Sequence, residues 1–152
     1  IAQNIPYVLD VYGDGPLWSE LKELVKKTDH KNIVLHGFVS REEVSEKLAK
    51  EVTALIAPSI YYETFGLITI EAWAKAVPVL ANDCGALAEL VKKSGAGLLF
   101  DVKNSDNLQE KLKKIQDPIY RERAIKYMNS HHQADEYYKQ IMGVYNSLLS
   151  SP

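Results

Sequence analysis

The feature that most constrains this chain is its alternation of short apolar runs with segments of helical spacing. Tyr7–Tyr12 (YVLDVY) is a β-branched and aromatic run, stopped by Gly13-Asp14-Gly15-Pro16. Pro16 suits a first helical turn, where its missing N–H costs nothing, and Leu17, Leu21, Leu24 and Val25 then recur at helical spacing. Asn32–His36 reads as a strand broken by Gly37. Ser40 and Glu43 form a Ser-x-x-Glu capping box that opens a helix running to about Lys50. Strand Val52–Ala57, helix Gly66–Lys75, strand Val77–Ala81, helix Ala86–Lys93, strand Gly97–Phe100 and helix Ser105–Ile115 follow. From Pro118 onward the pattern is helical only, with a break near Ser130-His131.

Apolar strands joined by helices belong in a parallel sheet covered on both faces, with right-handed crossovers. The expected fold is therefore α/β: one doubly wound, Rossmann-like sheet of five strands, in a single domain over residues 1–152 with C-terminal helices over 118–152. A length of 152 residues suits one domain. With 46% hydrophobic and 25% charged residues the balance is that of a globular protein. A net charge of -2 gives no reason to expect nucleic acid. Lys26-Lys27, Lys92-Lys93 and Lys113-Lys114 each fall near a helix end, where cations complement the dipole.

A single cysteine, Cys84, allows no internal disulfide and fits a reducing, cytoplasmic setting. The histidines, His30, His36, His131 and His132, show no ligand spacing, so no metal is expected. No apolar run approaches the roughly 20 residues that span a bilayer, and no signal-peptide pattern is present. The chain opens at Ile1 with a strand soon after, which reads as a piece of a longer protein.

Open α/β sheets bind ligands at the carboxyl ends of their strands. Here those ends are Gly13–Gly15, Gly37–Ser40, Pro58–Gly66, Asn82–Gly85 and Asp101–Asn104. The third is the most informative. Gly66 removes a side chain where backbone must approach something closely. The amides of Phe65, Gly66, Leu67 and Ile68 then point from a helix start, ready for a phosphate. Glu63 and Glu71 flank that helix start, eight residues apart. A carboxylate near a helix N-terminus is also simply favourable to the dipole, so the pair alone is a weak signal. Tyr61 and Tyr62 could stack on a ligand, but adjacent loop aromatics more often close the end of a sheet. Asn82 and Asp83 can give polar support at the same crevice. Cys84 has no neighbouring base to make it a nucleophile, and Asp10, Asp101 and Glu89 read as structural.

Glu63-x7-Glu71 within PSIYYETFGLITIEAWAKAVPVLAN (Pro58–Asn82) is similar to the signature of retaining glycosyltransferases of family 4, which use the GT-B fold. YGDGPLWSEL, HGFVSREEV and Gly85–Val91 resemble the flanking segments, so the likeness covers about Tyr7 to Phe100 and the rest matches in pattern only. Two positions depart from it. Ala76 stands where the family commonly has Gly, and Trp73 where Met is common; both read as packing adjustments. The family's Gly-Arg…Lys-Gly segment, whose cations grip the diphosphate, has no counterpart here. The chain is thus expected to lack one strand and one helix upstream, together with the acceptor-binding half.

The resemblance implies the C-terminal, donor-binding half of a GT-B hexosyltransferase. Glu71 would bond the ribose hydroxyls and Glu63, the catalytic candidate, the donor sugar. The amides around Phe65, Gly66, Leu67 and Ile68 would hold the diphosphate. Backbone at Phe38, Val39 and Ser40 would border the base, with Gly13 and Gly15 shaping the loop beside it. Glycosyl transfer leaves a diphosphate whose growing charge needs stabilising, and helix amides with Arg and Lys can do this without Mg²⁺. No Asp-x-Asp motif occurs, so metal independence and no cofactor are expected.

The implied partners are a nucleotide-sugar donor and the protein's own N-terminal acceptor domain, with glycan or glycolipid as product. The full-length protein would be cytoplasmic, with peripheral membrane contact possible through that other half. The isolated domain would bind donor weakly and catalyse nothing. The alternative is a non-catalytic α/β module of receiver-like or flavodoxin-like type, for which Asp10-x3-Asp14 is the only hint. An epimerase or phosphorylase on the same fold lies between the two. Finally, Tyr137, Tyr138, Ile141, Met142, Tyr145, Leu148 and Leu149 form a helical apolar stripe. Such a stripe is more often core; packed instead on the absent half, it would be an exposed patch here.

Overall fold

The structure is a computed structural model that describes residues 7–28, 31–50 and 52–150; Ile1 and His30 lie outside them. Strands β1 (Leu9–Tyr12) and β2 (Ile33–Gly37) are separated by helix α1 (Trp18–Thr28). Helix α2 (Arg41–Lys50) leads to β3 (Leu55–Ala57), and α3 (Leu67–Ala74) to β4 (Val79–Asn82). Helix α4 (Gly85–Ser94), β5 (Gly97–Phe100), α5 (Ser105–Lys114), α6 (Ile119–His131) and α7 (Ala134–Leu149) complete the order.

All described strand pairs are parallel, as the apolar runs require. They do not, however, form the one five-stranded sheet expected: β1 pairs only with β2, and β3-β4-β5 form a second sheet. Among the described residues no ladder joins the two sheets.

The three-stranded sheet is the packed half. Its side chains alternate between two clusters, as a period of two demands. Ala57, Val79 and Ala81 face Leu48, Ala72, Trp73, Leu87 and Val91. Leu80 and Phe100 face Leu108 and Ile115 of the other layer. Trp73 is 1% exposed. Its indole Nε1 donates to Ala96 O at 2.9 Å, and its ring meets Tyr127 edge-on at 5.3 Å. A buried indole with its N–H satisfied is a well-anchored core residue, so Trp73 is indeed a packing feature. The two-stranded half is barely covered: no residue of α1 is buried.

Ala76 is a different matter, and the expected packing role is corrected. Its φ is 57°, the left-handed region. Val77 N donates to Ala72 O and Ala76 N to Trp73 O, both at 2.9 Å, the two bonds of a Schellman ending of α3. Glycine is usual at that place because an L-residue's Cβ is strained there. The same ending explains why β4 starts at Val79 rather than Val77: the Val77 amide is already used and Pro78 has none to give. Leu55 N reaches Pro78 O at 3.0 Å, so β3 pairs only from Leu55 and is shorter than Val52–Ala57.

The helical tail breaks at His132–Gln133, close to the expected place. Helix α7 has no buried residue, and Tyr137, Tyr138, Tyr145, Leu148 and Leu149 are exposed. The stripe is therefore not core in this chain. No helix of the described residues is long and apolar enough to cross a membrane.

Candidate functional site

The carboxyl ends of β3 and β4 converge on the starts of α3 and α4. Asn82, ending β4, donates from Nδ2 to Ser59 O at 3.0 Å and accepts from Val102 N at 3.4 Å. It thus pins the loop after β3 to the end of β5, the polar support expected of it. Cys84 Sγ lies 3.8 Å from Ile60 O. Asp83 is tied to Lys92 Nζ at 2.8 Å. Gly85 has a φ of +58°, and a Cβ there would come within 3.2 Å of Tyr62 Cα. These contacts set the segment carrying Tyr61, Tyr62 and Glu63 against the start of α4. Both tyrosines are nonetheless exposed, so they do not seal the end of the sheet.

Helix α3 is opened by Gly66, whose φ of 78° and ψ of 47° are left-handed. Only glycine takes that conformation without strain, and a Cβ would also sit 2.7 Å from Leu87 Cδ2. The turn and the close approach both require it. A glycine N-cap has no side chain to offer, and the first turn of α3 holds no acidic residue. Thr69 N is bonded to Gly66 O, while the Leu67 and Ile68 amides have no acceptor among the described residues. Helix α4 likewise starts without a side-chain cap or an acidic first turn. By contrast α5 is capped by Asn104, which accepts from Asn107 N at 3.1 Å. The α3 start is thus a positive helix end left open, the arrangement that receives an anion.

The flanking glutamates differ. Glu63 is exposed and makes no side-chain hydrogen bond or ion pair among the described residues. Glu71, half-buried on α3, accepts from Arg41 Nη2 at 2.5 Å. Arg41 is the first residue of α2, so this bond brings the Val39–Ser40 loop end beside Glu71. Sequence reasoning missed Arg41, because a partner 30 residues away leaves no spacing to read.

The Ser40–Glu43 capping box is present: Glu43 N donates to Ser40 Oγ at 3.1 Å and Ser40 N to Glu43 Oε2 at 3.0 Å. The amide of Ser40 is thus used by the cap and its hydroxyl accepts there, while Phe38 beside Val39 is exposed. Gly13, with a φ of +127°, donates to Gly37 O at 2.7 Å and ties the β1 and β2 loops together. Gly15 donates to Asp14 Oδ1 at 2.7 Å, and a Cβ on it would meet nothing within 4 Å. Among the described residues no three His, Cys, Asp or Glu side chains gather as a metal site would need.

The sequence model of the family described as Glycosyl transferases group 1 matches residues 1–131. An uncharacterized glycosyltransferase of Methanocaldococcus jannaschii is 33% identical over 110 residues, 72% of this chain and 31% of that protein. The lipopolysaccharide core biosynthesis mannosyltransferase LpcC of Rhizobium leguminosarum is 31% identical over 105 residues, 66% of this chain and 30% of that one. Among solved structures, Anabaena HepE in complex with UDP superposes with a TM-score of 0.81 at 21% identity, over 96% of this chain and 43% of that one. The same protein with UDP-glucose gives a TM-score of 0.78. The chain therefore spans under a third of the length of these sequence relatives.

Proposed function

The chain belongs to the glycosyl transferases group 1 family, and from that premise we propose that it is the donor-binding part of a retaining glycosyltransferase that uses a nucleoside-diphosphate sugar. Its fold matches GT-B glycosyltransferases, and family membership displaces the receiver-like and flavodoxin-like alternative. The observation that carries the proposal is the open, uncapped start of α3 at Gly66, with Glu63 before it and Glu71 within it.

In this reading the Leu67 and Ile68 amides, with those of Phe65 and Gly66, hold the diphosphate and stabilise the charge that grows on it as the glycosidic bond breaks. Glu71 accepts from the ribose hydroxyls. Glu63, exposed and unpartnered, faces the donor sugar, where its carboxylate can bond sugar hydroxyls and stabilise developing positive charge at the anomeric carbon. Val39 and Phe38 border the base, and the Gly13–Gly37 tie fixes the neighbouring loop. That HepE was crystallised with UDP and with UDP-glucose supports a uridine donor. In this reading the diphosphate charge is met by helix amides, and the reaction proceeds without a metal. The acceptor belongs to a part of the protein outside this chain. The likeness to a lipopolysaccharide core biosynthesis mannosyltransferase favours a glycan or glycolipid acceptor.

Titration calorimetry of the chain with UDP, GDP and ADP tests the reading. Weak, saturable binding of UDP is expected, and Glu71→Gln should weaken it about tenfold, the worth of one charge-assisted hydrogen bond. Glu63→Gln should leave UDP affinity unchanged and reduce the extra affinity for UDP-glucose. A folded chain that responds to none of the three nucleotides refutes it.

A further inference from the structure

We infer that Arg41 is a positioning residue for the nucleoside site: it holds the Glu71 carboxylate in the orientation that receives the ribose. The inference rests on the reading of Glu71 as the ribose acceptor. Three observations support it.

The first is geometric. Arg41 Nη2 and Glu71 Oε1 are 2.5 Å apart, across 30 residues of sequence and between two helices. The bond engages one carboxylate oxygen and leaves Oε2 without a described partner. A carboxylate has about four lone-pair sites, so a guanidinium on one oxygen still leaves room for a diol. The pair also walls a shallow cleft of about 200 Å³ between α2 and α3, with Ser45 and Lys75 on its sides.

The second concerns helix electrostatics. Arg41 is the first residue of α2, where a cation opposes the dipole. The capping work at that end is done by Ser40 and Glu43, and Glu42 and Glu43 supply the acidic first turn. Nothing local favours an arginine there. Its partner on α3 does.

The third is a choice between cations. Lys75, the C-cap of α3, lies four residues after Glu71, the favourable order for an i,i+4 pair, and it lines the same cleft. Yet Glu71 bonds Arg41, and Lys75 has no ion-pair partner among the described residues. The Arg41 side chain is 78% exposed and that of Glu71 35%, a setting in which an ion pair adds little stability. What such a pair can do is fix direction. The planar guanidinium holds a carboxylate in a set orientation, where an ammonium is only a point charge.

The test compares binding of UDP and of 2′-deoxy-UDP to the chain. In the native protein UDP should bind about tenfold tighter. Glu71→Gln should bring that ratio close to one. Arg41→Ala should lower it several-fold while the melting temperature stays within a degree, and Arg41→Lys should recover only part of it. A merely structural role for Arg41 would change the melting temperature and leave the ratio alone. An unchanged ratio in Arg41→Ala, with Glu71→Gln still collapsing it, overturns the positioning role and leaves the ribose reading intact. Tighter UDP binding in Arg41→Ala at an unchanged ratio would make Arg41 a competitor and also overturn it. A ratio insensitive to Glu71→Gln removes the ribose reading and this inference together.

Discussion

Ala76 offers a test in which a substitution toward the less ordered residue should stabilise the protein. It is held at a φ of 57° by the two 2.9 Å bonds that close α3, and an L-residue there carries about 1–2 kcal/mol of strain. Ala76→Gly removes that strain. Against it stands the greater freedom of glycine in the unfolded chain, about 0.4–1 kcal/mol. The expected net is a gain of about 0.5–1 kcal/mol, or roughly 2 °C in melting temperature for a chain of this size. Urea unfolding followed by circular dichroism reads it as a raised midpoint at constant slope. Ala74→Gly is the control. Two residues earlier, at the last helical position of α3, the same change should cost up to about 0.5–1 kcal/mol. Opposite signs at positions 74 and 76 are the signature. A loss at both, with unchanged slopes, would refute the backbone account of Ala76.

Gly66→Ala adds left-handed strain and drives a Cβ to 2.7 Å from Leu87 Cδ2, with Leu87 fully buried. It should cost about 2–4 kcal/mol, and Leu87→Ala should restore part of this in a double-mutant cycle; additive losses would discount the clash. Gly97→Ala would place a Cβ 2.2 Å from Val79 O, backbone that cannot give way without parting β4 from β5, which pair Val79 with Gly97. A loss above about 3 kcal/mol is expected, and near-native stability in urea would contradict the close approach. Burial first, then the charge of His131, then that of Lys93, lower the His132 pKa below 6.5. The unfolded chain therefore binds that proton more readily, so His132 favours folding above pH 6.5 and loses this contribution as pH falls toward its lowered value. His132→Gln should flatten the fall in urea midpoint between pH 7.5 and 5.5, and an unchanged slope would place the pH dependence elsewhere.

Local chemistry made much of the fold readable. The parallel strands, the Ser40–Glu43 cap, the helix starts and the break before α7 each rest on residues adjacent in sequence, where spacing and side-chain type carry the information. Three features were not readable, two of them because they depend on groups distant in sequence. The division into two sheets is a matter of which strands pair, which neither β1 nor β3 specifies by its own residues. The strain at Ala76 follows from the bonds that end α3, and at sequence level the alanine looked like a packing change. The exposure of α7 depends on what it packs against, and its apolar stripe would look the same in a core helix. At the site, Gly66 and the two glutamates could be placed because turn and helix chemistry fix them locally, while Arg41 belongs to Glu71 only through the tertiary fold.

That division bears on how the site works. Gly66, Glu63 and Glu71 stand on the well-packed sheet, anchored by Trp73, Leu87 and Ala72 in one cluster. The loops at Gly13 and Val39 stand on the thinly covered pair β1-β2, and no ladder connects the two. Helix α2, which follows β2 in the chain, packs on the larger sheet's side: Leu48 is buried in that core, and Arg41 at its other end bonds Glu71. A hydrogen bond between Gln116 Nε2 and the Tyr7 hydroxyl adds a second tie. A ligand reaching from Glu71 to Val39 would therefore bridge the two sheets along the helix that already joins them. Binding energy spent on ordering that junction is lost from affinity, which gives a structural reason for the weak nucleotide binding expected of the chain by itself.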